Sequence, residues 1–115
     1  MKFTMKLNPA PFAMIKDGRK TIELRLNDEK RQAISVGDTI IFQSIDMPRS
    51  ELMTVVMGLY KFDSFKELYE KLPLMECGYT DANVAEASPD DMNQYYSQEE
   101  QQKYGVVGIK VALVQ

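Results

Sequence analysis

Residues 18–25, Gly-Arg-Lys-Thr-Ile-Glu-Leu-Arg, constrain the fold of this chain more than any other stretch. From Thr21 to Leu26 the residues alternate as a strand does, with Ile22, Leu24 and Leu26 on one face and Thr21, Glu23 and Arg25 on the other. The pattern predicts a strand whose aliphatic face meets the core and whose Glu23 and Arg25 project into a solvent-accessible cleft. A helix precedes it. Asn8 is placed as an N-cap, Pro9 suits the first helical position, and Asp17-Gly18 supplies a left-handed stop. Phe12, Ile15 and Met14 give that helix its apolar stripe. Lys16, Arg19 and Lys20 at its end complement the helix dipole, which is the plain structural alternative for those three. It does not account for Glu23 and Arg25. In a straight strand Lys20 would share the face of Ile22, so the chain must bend there for its amine to join Glu23.

The remaining punctuation predicts a short helical turn over residues 27–33, a Gly37-Asp38 turn into a strand over 39–45, and a loop over 46–50 containing Pro48. A long strand follows over 51–62, with Gly58 marking a bulge or a close backbone approach. Ser64-x-x-Glu67 opens a helix that Pro73 stops, and residues 73–87 read as a loop or short helical turn. Ser88-Pro89 and Ser97-x-x-Glu100 start two more helical segments, and residues 105–114 read as a central strand, apolar on nearly both faces. Strands, a block of helices, then a final strand make an α+β protein, with a helical insertion before the last strand of a small mixed barrel. One domain over residues 1–115 is expected. Ile22, Leu24, Ile40, Phe42, Val55, Val107 and Ile109 are the expected core, and the eight methionines read as packing.

Composition narrows the chemistry. With no histidine and one cysteine, Cys77, a zinc site of the usual kind is not expected, and the commonest general base is missing. Nothing calls for a metal or a cofactor. Cys77 reads as a small packing side chain. No run of about 18 apolar residues exists and the N-terminus lacks a secretory apolar stretch, so a cytoplasmic protein with no membrane partner is expected. The net charge of −3 is unevenly spread: residues 1–62 hold ten Lys/Arg against seven Asp/Glu, and residues 63–104 three against ten. A small basic surface around Lys16, Arg19, Lys20 and Arg25 beside an acidic half favours a compact anionic ligand over extended duplex.

Lys20, Glu23 and Arg25 are the leading site candidates. Arg offers a planar fork, Lys a point charge, and Glu an acceptor for an amino group. The plain alternative is an exposed Glu23–Arg25 ion pair contributing under about 1 kcal/mol. The second candidate group is Tyr95, Tyr96 and Tyr104 with Ser97 and Lys103, because aromatic rings interleaved with cations suit stacked single-stranded nucleic acid. Its alternative is packing of both central tyrosines against the barrel. Tyr79 is a weaker candidate of the same sort.

Gly18-x-Lys20-x-x-Glu23-x-Arg25 resembles the GxKxxExR signature of the ASCH family, a PUA-like β-barrel group. Gly37-Asp38 before Thr39-Ile40-Ile41-Phe42 resembles that family's entry to its next barrel strand, and Tyr104-Gly105-Val106-Val107-Gly108-Ile109 its closing strand. The resemblance implies a PUA-like mixed β-barrel with flanking helices, a cleft lined from the signature positions, and RNA or a nucleotide as ligand. One bacterial branch of the family hydrolyses acylated cytidines through a Lys–Thr–Glu constellation. Its Lys is similar in place to Lys20, but its threonine nucleophile stands where this chain has Glu23. As an enzyme, a hydrolase of modified nucleosides or single-stranded RNA, the chain would rely on Lys20 and Glu23. As a binding module it would use the same residues to grip the ligand.

Overall fold

A computed structural model describes residues 1–47 and 49–114. The loop expected at Pro48 therefore falls partly outside the described residues. Among the described residues five strands form one sheet: β1 (Lys2–Leu7), β2 (Ile22–Leu26), β3 (Thr39–Ser44), β4 (Glu51–Phe62) and β5 (Val106–Leu113). Their order is β1-β3-β4-β5-β2, with β1 parallel to β3 and every other pair antiparallel. The sheet curls into a half-barrel with β1 and β2 as its edges. Four α-helices flank it: α1 (Pro9–Lys16), α2 (Glu29–Gln32), α3 (Phe65–Lys71) and α4 (Gln98–Tyr104). Three 3-10 turns lie between α3 and α4. The insertion before the last strand is thus helical, as its caps predict. Ser64 accepts the Glu67 amide, and Ser88–Asp91 and Ser97–Glu100 form reciprocal capping boxes.

β1 was not expected. Its signal is present in Phe3, Met5 and Leu7 alternating with Lys2, Thr4 and Lys6, but six residues of weak alternation acquire meaning only when β3 lies alongside. The bulge at Gly58 is found: Val56 pairs with Val111 and Gly58 with Lys110, leaving Met57 unpaired. Val55 is a correction to the expected core. It is half-buried, while Thr54 and Val56 turn inward, and the extra residue at the bulge then brings Leu59 back against the same core. Thr54 is tolerated at zero exposure because its hydroxyl donates to the Ile40 carbonyl at 2.9 Å.

The core has two parts, one on each face of β5. Val107, Ile109 and Val111 pack with Met5, Ile40, Phe42, Val56 and Ile15 of α1 inside the curl. Val106 packs on the other face with Ile22, Leu24, and Phe65 and Leu68 of α3. Each buried branched side chain contributes roughly 1.5–3 kcal/mol. Gly108 lets this second layer close, since a Cβ there would lie 2.7 Å from Leu72 Cδ1 and 3.2 Å from Ile22 Cγ2.

This arrangement reverses the expected faces of β2. Glu23 pairs with Ile109 and Arg25 with Val107, and directly paired residues share a face. The two charged side chains therefore lie on the face of the inner core, and Ile22 and Leu24 lie on the outer face beneath α3. Both faces of this edge strand are covered, so alternation marks the two faces without saying which is inside.

Candidate functional site

The site is assembled by the link from α1 to β2. Asp17 caps the helix, Gly18 takes φ of 83°, and the Lys20 amide bonds to the Met14 carbonyl at 3.0 Å. The Thr21 amide bonds to the Glu76 carbonyl and its hydroxyl to the Glu76 carboxylate. These anchors bend the chain before β2 begins, and Lys20 turns inward. Its Nζ lies 2.7 Å from Glu23 Oε1. Arg25 Nε and Nη2 each lie 2.7 Å from Glu23 Oε2. Gly78 passes against the Lys20 stem, with φ of 111° and room for a Cβ only at 3.4 Å from Lys20 Cδ.

Glu23 is 4% exposed and Lys20 9%. A buried charge persists only where partners replace its hydration. Burial alone would push the Glu23 carboxyl up, but the charges of Lys20 and Arg25 outweigh it and hold it below the usual carboxylate range. Burial also opposes the charge of Arg25, but Glu23 and Tyr96 beside it outweigh that and raise its pKa. Arg25 has a second role: its Nη2 donates to the Lys6 carbonyl at 3.1 Å, joining edge strand β2 to edge strand β1.

Beside this ion triad lies a cavity of about 520 Å³, bounded by β2, by the β1–α1 junction and by the helical insertion. Lys20, Glu23, Arg25, Tyr95 and Tyr96 all line it, and so does Tyr79. Tyr96 stacks on Phe65 with ring centroids 6.2 Å apart, which fixes its plane, while Tyr95 is 57% exposed at the rim. Asn8 also lines the cavity; its side chain makes no cap bond to α1, contrary to its expected N-cap contact.

Four residues named from the sequence do not join this cavity. Arg19 turns back onto Asp17 in an exposed ion pair, Nη2 to Oδ2 2.8 Å. Ser97 is occupied as the cap of α4, and that cap starts a helix leading away from the cavity. Lys103 and Tyr104 sit at the far end of α4, the Lys103 amine 5.0 Å from the Tyr104 ring centre, beside a separate hollow of about 380 Å³. Adjacency in sequence to Tyr95 and Tyr96 does not survive a helix of seven residues between them and β5.

The reading from sequence missed Tyr69 and Asp91. Tyr69 falls on the helix that Ser64 opens, and its hydroxyl needs a partner when half-buried. It lies 2.7 Å from the Tyr79 hydroxyl, which donates to Asp91 Oδ2 at 2.6 Å. Cys77 is more deeply buried than expected, and burial pushes its thiol up to about 12, so it is a packing group and not a nucleophile. Among the described residues no group of three or more His, Cys, Asp or Glu is placed to hold a metal, and no helix is long and apolar enough to cross a membrane.

The model of the ASCH domain matches residues 5–115. No curated protein matches this chain. Among solved structures, that of the hypothetical protein PH0355 shares 35% identity over 99% of this chain and all of its own, with a TM-score of 0.82. Protein PF0455 from Pyrococcus furiosus shares 31% over 100% of this chain and 99% of its own, at 0.76. The ASCH domain from Lactobacillus crispatus, at 11% identity, covers 97% of this chain and 79% of its own, with a TM-score of 0.65, a likeness of fold.

Proposed function

Because the chain belongs to the ASCH domain family, a PUA-like fold associated with RNA binding, we propose that it binds a nucleotide or a short stretch of single-stranded RNA. One nucleoside would sit in the cavity beside Lys20, Glu23 and Arg25. The observation that carries this reading is the buried Lys20–Glu23–Arg25 triad opening on a tyrosine-lined cavity. Lys20 and Arg25 outnumber Glu23, so the triad keeps one net positive charge for a phosphate or a carbonyl. Tyr96, held flat on Phe65, offers a stacking face, and Tyr95 at the rim can cover a base. The acidic insertion disfavours a long duplex.

Hydrolysis is less well supported. A general base works best with a pKa near the operating pH. Glu23 is held low by two cations and both of its oxygens are engaged. The Thr21 hydroxyl donates to Glu76, outside the cavity lining, and supplies no nucleophile there. The test is to follow binding of short single-stranded RNA and cytidine monophosphate by anisotropy and NMR, and in parallel to incubate the protein with acetylated cytidine. Binding that is lost in Arg25→Ala supports the proposal. Cytidine release that vanishes in Lys20→Ala would overturn it in favour of the hydrolase.

A further inference from the structure

The hydrogen bonds among Tyr69, Tyr79 and Asp91 have a fixed direction. Tyr79 carries one hydroxyl proton and Asp91 Oδ2 receives it at 2.6 Å. The bond between the two tyrosine hydroxyls, 2.7 Å long, must therefore be donated by Tyr69. Tyr69 then has only oxygen lone pairs to offer the cavity. Asp91 is pinned as well, since the Ser88 amide also bonds to Oδ2 at 3.2 Å, and Oδ1 takes neither bond. All three residues line the cavity. The edge they present accepts hydrogen bonds and donates none.

The β2 side is the reverse. Both Glu23 oxygens are held by Lys20 and Arg25, so the hydrogens of Lys20 and Arg25 not engaged by Glu23 or by the Lys6 carbonyl are what that side presents. One cavity thus has a donor side and an acceptor side. Burial and the hydrogen bond to Asp91 raise the Tyr79 pKa, which keeps its proton in place and the polarity fixed.

We infer that Tyr69 and Asp91, locked by Tyr79, are specificity-determining residues that select a base carrying an exocyclic amine over its keto counterpart. The inference rests on the nucleotide-binding reading above. An amine placed against Tyr69 and Asp91 donates to both, while its ring carbonyl or ring nitrogen can face Lys20 or Arg25. A keto oxygen in the same place would set lone pairs against lone pairs.

The test uses the full chain and four uncharged nucleosides, cytidine with uridine and adenosine with inosine, titrated by NMR. Within each pair the amine-bearing member should bind about tenfold more tightly. Tyr79→Phe frees the Tyr69 proton to donate into the cavity, and the preference should fall toward unity without loss of uridine or inosine binding. Tyr69→Phe removes one acceptor without touching the Asp91 cap, and should lower amine-nucleoside affinity selectively. Equal binding within both pairs by the wild type, or equal losses in Tyr69→Phe, would overturn the inference and leave nucleoside binding standing. Binding of short RNA but of none of the nucleosides would overturn the inference and leave RNA binding standing. Binding of neither would overturn the nucleotide reading and the inference with it.

Discussion

Glu23 is the hinge of the candidate site at the scale of single residues, because its carboxylate is shared by the buried Lys20 and the half-buried Arg25. Removing one partner of a buried ion network leaves the others charged without compensation, at a cost of about 3–5 kcal/mol. Glu23→Ala should therefore destabilise by roughly that amount in denaturant unfolding, although Glu23 is a candidate site residue and not an aliphatic core residue. The pH dependence has a definite sign. The folded-state pKa of Glu23 lies below its unfolded value, so its stabilisation is fully present above the ordinary carboxylate range and is lost as pH falls through the folded value. The stability difference between wild type and Glu23→Ala should shrink in acid. A difference that stays constant from neutral pH to about pH 3 would show that Glu23 is not held low.

Among the elements, β5 and α3 decide how the site is backed. Gly108→Ala would push a Cβ to within 2.7 Å of Leu72 Cδ1, and overpacking of this kind costs about 1–3 kcal/mol. Thermal unfolding should register it as a lowered midpoint. Ile109, at zero exposure on the opposite face of β5, should cost about 2–5 kcal/mol when cut to Ala. Val55→Ala should cost much less than Ile109→Ala, because Val55 is only half-buried. Comparing the two denaturant midpoints checks the assignment of the β4 faces across the bulge. Ser97→Ala separates element from site. It removes a cap worth about 1 kcal/mol and should leave nucleotide affinity unchanged.

For the whole molecule, the cationic residues lining the cavity are Lys6, Lys20 and Arg25 among the described residues, and Arg19 and Lys103 lie elsewhere. Each phosphate neutralised on a single strand contributes about −0.7 to the slope of log K against log salt. RNA affinity should therefore fall shallowly with salt, with a slope of at most about three phosphates. A slope as steep as that of many contacts would place the ligand across a broader surface than the cavity. Arg25 also ties β2 to β1, so Arg25→Ala should weaken binding of every phosphate-bearing ligand and lower the unfolding midpoint together.

The residues from Asn8 to Arg25 were legible because their signals are local: a cap, a glycine stop and a short alternating strand lie within a few turns of chain. The same holds for the helix caps at Ser64, Ser88 and Ser97 and for the bulge at Gly58. Lys20, Glu23 and Arg25 could be named for the same reason, since they fall within one motif of eight residues. The sequence by itself therefore determined most of the elements, the ASCH resemblance and the charged centre of the site. Tertiary structure decided which face of β2 lies inward, because alternation is symmetric and only pairing with Val107 and Ile109 breaks the tie. It also decided that Tyr69 and Asp91 share the cavity while Tyr104 and Lys103 do not. Those choices depend on contacts between residues far apart in the chain, and closure of the sheet brings such residues together without leaving a local trace.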